Sequence, residues 1–307
     1  MSRFYKKNCW RSSIILIDFT QIAIGSLMVA MHQSKNNDVD EDLVRHLVLN
    51  NIRYYRSRFK EKYGELVICC DSKHYWRRDY FPYYKASRKK EREASGLDWD
   101  IIFTNLNQVR DEIKEHFPYK VVEVYGAEAD DIIAVLTKDR NDDVSIIISS
   151  DKDFIQLHNS VIEQYSPVTK KMLNNDDPWS YLAEHIIRGD RSDGVPNVFS
   201  ADDTFVESKR QKPIRKTVVG ELLNGMVFLD SKEQLDTLSS IAKCPKDTWV
   251  RNWQRNETLI DLSKIPTSLV HEILTEFDEV KVGDRSNLFN YFVEKRLNNL
   301  VENLGEF

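Results

Sequence analysis

Three consecutive stretches decide the fold: Tyr119-Lys120-Val121-Val122-Glu123-Val124, Glu128-Ala129-Asp130-Asp131-Ile132-Ile133-Ala134-Val135-Leu136, and Val144-Ser145-Ile146-Ile147-Ile148-Ser149-Ser150-Asp151-Lys152-Asp153. The first and last are short apolar runs rich in β-branched residues, which read as buried strands. The middle stretch opens on carboxylates and continues with apolar residues at helical spacing, up to Lys138. Strand, helix, strand is the unit that builds a parallel sheet.

The same alternation runs backward to the start of the chain. Residues 14–19 and 66–70 read as strands, and 22–31, 41–59 and 99–117 as helices. The expected fold class is α/β, a mainly parallel central sheet flanked by helices. Beyond about residue 180 the texture changes: 200–215 is polar without period, while 217–223, 232–242, 268–277 and 288–300 read as helices. We expect an α/β domain over 1–183 and a smaller, mostly helical region over 184–307.

The strand reading places acids together. Asp18 closes Ile14–Ile17, Asp71 closes Leu66–Cys70, and Asp151 and Asp153 close the run that ends at Ser150. In a parallel sheet these positions share the carboxyl edge, where ligands bind. Glu128, Asp130 and Asp131 open a helix on that edge. Asp190 and Asp193 follow within Gly189-Asp190-Arg191-Ser192-Asp193-Gly194. Any one of these acids alone reads as a turn former or helix cap. Gathered together they would repel one another unless cations lay among them. Oxygen-only donors suit Mg²⁺ or Mn²⁺. Their number suits two ions roughly 4 Å apart, the arrangement for phosphodiester hydrolysis.

Bulk properties fit an enzyme of this kind. The chain has 307 residues, 30% charged and 41% hydrophobic, with a net charge of −5, so it is no simple basic nucleic-acid binder. The charge is uneven, however. Between Lys73 and Arg92 lie eight Lys or Arg against two acids, Asp79 and Glu91. Aromatic side chains interleave with these cations, and the segment begins just after Asp71. Arg77, Arg78, Lys85, Arg88, Lys89 and Lys90 suit phosphates, and Tyr84 suits an exposed base. We expect a basic arch near 72–97 that contacts nucleic acid.

The four cysteines have no metal spacing, and Cys69 and Cys70 fall inside a strand, as expected in a reducing cytosol. The N-terminal apolar run is too short for a signal or membrane span. Host cytoplasm and no membrane are the expectations. The seven His show no catalytic arrangement.

As an ordered set these motifs resemble the structure-specific 5′ nucleases, the family of flap endonucleases and polymerase 5′-exonuclease domains, and most of all its bacteriophage ribonuclease H branch. The matching pieces are Ile-Leu-Ile-Asp-Phe (15–19), Val-Arg-His-Leu-Val-Leu-Asn (44–50), Tyr-Trp-Arg-Arg-Asp (75–79) and Tyr-Tyr-Lys-Ala-Ser-Arg (83–88). They continue with Glu-Ala-Asp-Asp (128–131), Ser-Asp-Lys-Asp-Phe (150–154), Gly-Asp-Arg-Ser-Asp-Gly-Val-Pro (189–196) and Tyr-Phe-Val-Glu-Lys (291–295). The resemblance implies a two-Mg²⁺, PIN-like fold with 5′→3′ exonuclease, flap endonuclease and ribonuclease H activity. Its implied use is removal of RNA primers during phage DNA replication.

Carried over by position, Asp18, Asp71, Glu128, Asp130 and Asp151 would surround one ion, and Asp153, Asp190 and Asp193 the other. Asp131 would orient its neighbours, and Lys85 and Arg88 would steady the scissile phosphate. Implied partners are branched or nicked DNA and RNA–DNA duplex with a free 5′ end, and single-stranded-DNA-binding protein. A monomer is expected. The chain departs from the usual pattern after Pro196. There about twenty residues intervene before Lys216-Thr217-Val218, which puts the family's potassium-holding duplex hairpin in doubt.

Two other readings share some of these residues. A PIN-like ribonuclease would prefer unpaired RNA. A replication-fork binding protein with structural acids would bind DNA without metal and without turnover.

Overall fold

A computed structural model describes residues 13–33, 41–139, 143–226, 236, 239–240 and 244–307. The segment before Ser12 and most of the helix expected over 232–242 lie outside these residues.

Among the described residues six strands form one sheet, in the order β3-β2-β1-β4-β5-β6. They are β1 (Ile14–Asp18), β2 (Glu65–Cys70), β3 (Lys120–Glu123), β4 (Ser145–Ile148), β5 (Ile162–Ser166) and β6 (Lys171–Leu173). The first five pair in parallel, and β6 runs antiparallel to β5. The chain builds outward from β1 to β3, then returns to the other side of β1 with β4. This reversal makes the β1/β4 edge a topological switch point, where the loops part and leave a crevice. Asp18 and the segment after Ile148 stand at that crevice.

Alternation along each strand divides the core between two faces. Ile15, Ile17, Leu66, Ile68 and Cys70 pack with α1 (Phe19–Gln33), α2 (Glu41–Tyr63) and α5 (Trp99–His116). Ile14, Leu16, Val67, Cys69 and Ile147 pack with α6 (Ala129–Asp139) and α10 (Thr267–Glu279). The last segment also returns to the first face: Leu288, Phe292, Leu300 and Phe307 are buried there. Two short helices lie in the arch, α3 (Trp76–Tyr80) and α4 (Ser87–Ala94). A smaller cluster joins α7 (Pro178–Arg188), α8 (Lys216–Met226) and α9 (Lys246–Ile260) through Ile187, Val219, Leu222 and Trp249.

Several elements differ from the sequence reading. β5 and β6 were not expected, because Glu163, Gln164 and Lys171 interrupt their apolar pattern. Helices α7 and α9 were not expected either, although Asp177 caps α7 and Pro178 fills its first turn. The single helix expected over 288–300 is two, α11 (Leu288–Glu294) and α12 (Asn298–Val301), separated where Arg296 takes φ of 55°. No helix among the described residues is long and apolar enough to cross a membrane.

Candidate metal centre and basic arch

The carboxyl ends of β1, β2 and β4 bring the expected acids together. Asp18 caps α1 by accepting from the Gln21 amide at 3.2 Å and takes a second hydrogen bond from Ser149 Oγ at 3.0 Å. Asp71 accepts from the Ala129 amide at 2.8 Å, which ties the end of β2 to the start of α6. Asp151 accepts from the Asp153 amide at 2.9 Å, capping the 3₁₀ helix Lys152–Leu157 that follows β4. Among the described residues, Asp18, Asp71, Asp130 and Asp151 form no ion pair with any Lys, Arg or His.

Their electrostatics follow from that arrangement. Burial, then Asp71, push the Asp18 carboxyl up to about 7. Burial and Asp151 hold Asp130 well above the usual carboxylate range. Asp151 is raised too, by burial and by Asp193 and Asp190. Crowded carboxylates of this kind either take up protons or are offset by a cation, and a divalent ion among them would favour their charged forms.

Asp153 and Asp190 form a second group with a residue that the sequence reading passed over. His185, on α7, has Nδ1 3.3 Å from Asp153 Oδ1 and Nε2 3.3 Å from Asp190 Oδ2. Donor atoms of the three lie within 4.8 Å of one another. The sequence reading found no catalytic arrangement among the seven His; the structure sets His185 between Asp153 and Asp190. The available signal was the position of His185 in the last turn of α7, five residues before Asp190. Burial and Asp151 raise Asp153 to about 8 despite His185. Burial would raise Asp190 as well, but His185 and Ser192 hold it below the ordinary range. A cavity of about 10 Å³, lined by Asp130, Asp153, Asp190 and Asp193, joins the two groups. It has room for about one water-sized occupant.

The loop that carries Asp190 and Asp193 needs its glycines. Gly189 has φ of 68°, and a Cβ there would meet Val195 O at 2.4 Å. Gly194 has φ of 73°, and a Cβ would lie 2.9 Å from Tyr83 O. The close approach lets the Lys85 amide donate to Asp193 O at 2.7 Å, so loop and arch form one unit.

The base of the arch is buried, and this corrects two expected nucleic-acid contacts. Arg77 is 2% exposed. Its guanidinium lies 2.9 Å from Glu128 Oε2 and 2.7 Å from Asp131 Oδ1, and Nε donates to Leu259 O at 2.9 Å. Tyr84 is also buried, its hydroxyl 3.0 Å from Glu128 Oε2 and 2.8 Å from Asp193 Oδ2. Both are engaged with buried acids, and what they face is the small cavity between the acid groups rather than the outer surface. Charge was read correctly from the sequence here, but burial was not visible in it.

Lys85 and Arg88 face the acids. Lys85 Nζ pairs with Glu128 and lies 3.6 Å from Asp193, and Arg88 Nη2 is 2.7 Å from Asp193 Oδ1. Glu128 and Asp193 therefore have cationic side chains as partners, while Asp131 is fully buried under Arg77. Arg78, Lys89 and Lys90 are exposed.

Residues 13–182 match the family model described as 5′-3′ exonuclease, N-terminal resolvase-like domain. Residues 180–307 match the one described as T4 RNase H, C terminal. Ribonuclease H of Enterobacteria phage T4 is 32% identical over 309 residues, covering 97% of both chains. The fold is similar to a bacteriophage T5 flap endonuclease solved with DNA and metal ions, at a TM-score of 0.64 and 15% identity over 87% of this chain and 98% of that one. A T5 5′-exonuclease solved with zinc has a TM-score of 0.57 at the same identity and coverage.

Proposed function

The chain belongs to the 5′-3′ exonuclease family, with a C-terminal region of the phage ribonuclease H type, and from that membership we propose a divalent-metal-dependent 5′→3′ exonuclease and flap endonuclease with ribonuclease H activity. It is a phosphodiester hydrolase. Its proposed substrates are nicked or branched DNA and RNA–DNA duplexes with a free 5′ end. Primer removal from lagging-strand fragments is the proposed use. The reading extends to a monomer in host cytoplasm that works beside single-stranded-DNA-binding protein, and to a chain divided into 1–183 and 184–307.

One observation carries this reading: four carboxylates from three strand ends and one helix start meet at the sheet's switch point and, among the described residues, none of them is ion-paired. The donors are hard oxygens, which fit Mg²⁺ or Mn²⁺. Asp18, Asp71, Asp130 and Asp151 would hold one ion. Asp153 and Asp190, with His185 beside them and Asp193 on the same loop, would hold the other. Bound ions would supply Lewis-acid activation of water and neutralise charge on the phosphoryl oxygens.

The chain's own groups do the rest. Lys85 and Arg88 exchange carboxylate partners for the scissile phosphate, a charge-assisted contact that fixes its position against the acids. The hydrogen bond that the Lys85 backbone amide donates to Asp193 O keeps that cation in register with the loop. Glu128 and Asp131, anchored by Arg77, hold the start of α6 and so the placement of Asp130. Hydrolysis leaves 5′-phosphate and 3′-hydroxyl ends.

The test is cleavage of a 5′-labelled RNA–DNA hybrid and a DNA flap, with Mg²⁺ and with EDTA. Cutting from the 5′ end with Mg²⁺ alone is expected. A preference for unpaired RNA would sink the reading.

His185 supplies a sharper check on the second group. Replacing it by Asn is expected to raise the Mg²⁺ concentration needed for half-maximal cleavage about ten- to a hundredfold, as when a metal site loses a neighbouring support. An unchanged Mg²⁺ titration would remove His185 from the site.

A further inference from the structure

A cavity of about 710 Å³ lies beside the acid cluster, between α4 of the arch and the irregular segment 197–214. That segment is where the chain departs from the family pattern. Six Lys or Arg line the cavity, and Glu91 is its one carboxylate. Arg188 and Lys209 are paired with Glu184 and Asp203. Among the described residues, Lys90, Arg191, Arg210 and Lys212 have no ion-pair partner. Four unpaired cations from three separate segments around one concavity make an anion site.

Hydrogen bonds hold the backbone of the segment that carries Arg210 and Lys212. Asn197 is buried. Its amide donates to Gln211 Oε1 and its Nδ2 to Lys212 O, both at 2.8 Å. Buried Ser200 accepts from the Lys212 amide at 2.9 Å. The Arg191 guanidinium stands 6.0 Å from the Phe205 ring centroid, so an aromatic face lies within the same cavity. Asp202, paired with Arg251 and Arg255, ties the segment to α9.

Size and position select the ligand. The volume admits a nucleotide or two and is far too small for a duplex. Arg191 lies between Asp190 and Asp193 in the chain, and α4 turns Arg88 toward Asp193 while Ser87 and Lys90 line the cavity. A strand whose scissile phosphate rests at the acids therefore has its next few nucleotides within reach of this cavity.

We propose that the cavity receives the phosphate-bearing 5′ end of the strand being cut, with Lys90, Arg191, Arg210 and Lys212 as its cations. The site rests on the proposed 5′-nuclease reading and deepens it. On a nicked duplex, seating the end at a fixed distance from the acids sets the length of the short exonucleolytic product. A dianionic terminal phosphate gains more from four converging cations than a passing diester does.

The experiment compares nicked duplexes that differ only in a 5′-phosphate or a 5′-hydroxyl. Binding is read by fluorescence anisotropy in Ca²⁺ buffer, and cleavage is followed separately in Mg²⁺. The parent is expected to bind the phosphorylated end roughly tenfold more tightly, about one charge-assisted contact's worth. In the Arg210→Gln, Lys212→Gln double variant that ratio is expected to fall to about one. In the charge-preserving Arg210→Lys, Lys212→Arg variant it should persist. Thermal melting confirms that both variants fold.

Equal binding of the two ends by the parent overturns the proposal. So does an equal loss on both ends in the Gln variant, which would mean that the cations hold the passing backbone. Neither result touches the nuclease reading, which fails if the parent shows no Mg²⁺-dependent cleavage or prefers unpaired RNA.

Discussion

Replacing Asp130 by Asn is expected to lower cleavage on the order of 10³-fold or more while leaving the protein folded. The magnitude is that of losing one strong electrostatic group from a preorganised site. Asp130 sits at the centre of the acid cluster, within electrostatic reach of Asp151, Asp18 and Glu128, with Lys85 the cation acting on it. It also lines the small cavity that joins the two groups. Asn keeps the shape and one acceptor but removes the charge. In metal-free buffer this relieves repulsion, so the melting temperature should stay level or rise. The rise in melting temperature on adding Mg²⁺ should shrink, because stabilisation by a ligand follows its affinity for the folded state. Single-turnover cleavage and paired melts in EDTA and Mg²⁺ measure both. A variant that cleaves like the parent would remove Asp130 from the reaction. One that melts much lower in EDTA would make it a structural carboxylate.

The second large effect concerns stability. Arg77→Met is expected to destabilise the fold by about 3–5 kcal/mol, the cost of breaking a buried pair and leaving its partners charged. Two carboxylates, Glu128 and Asp131, depend on that guanidinium, and so does the carbonyl of Leu259 on α9. Met roughly matches the apolar stem but satisfies none of them. Denaturant melts of the parent and variant give the difference. Adding Asp131→Asn to Arg77→Met removes one of the stranded charges and should recover part of the loss, a coupling read by a double-mutant cycle. If Arg77 were instead a phosphate contact, stability would barely change and the salt dependence of DNA binding would fall by about one counterion.

The fate of Arg77 shows what the sequence could and could not convey. The strand–helix alternation from residue 119 to 153 was legible because apolar periodicity reports burial directly. Parallel pairing then placed Asp18, Asp71 and Asp151 on one edge without further information. Within 73–92, however, every cation looks alike in one dimension. Only the packing of α3 against α9 separates Arg77, which neutralises buried acids, from Arg78, which faces solvent. Tyr84 is a parallel case: its neighbours in the chain are cations, but its hydroxyl partners lie about 44 and 109 residues away. His185 was missed because the helix that carries it was not expected, and a lone histidine five residues before Asp190 points to the site only once α7 is in place. β5 and β6 were missed because an edge hairpin with polar outward positions lacks the continuous apolar run of a central strand.

The return of the last forty or so residues to the sheet has a consequence for how the protein is made. Leu269, Ile273 and Phe277 cover one sheet face, and Leu288, Phe292 and Phe307 cover part of the other. While the chain is being synthesised, β1 to β5 emerge long before the helices that seal them. Nascent protein therefore holds Phe117, Val122 and their neighbours partly uncovered until the segment 269–307 leaves the ribosome. The metal-binding edge, by contrast, is assembled from segments that have all emerged by residue 193. Acids meet early and the core closes late. Divalent ions present during synthesis would then bind a half-covered sheet and act as a staple before the hydrophobic seal is in place.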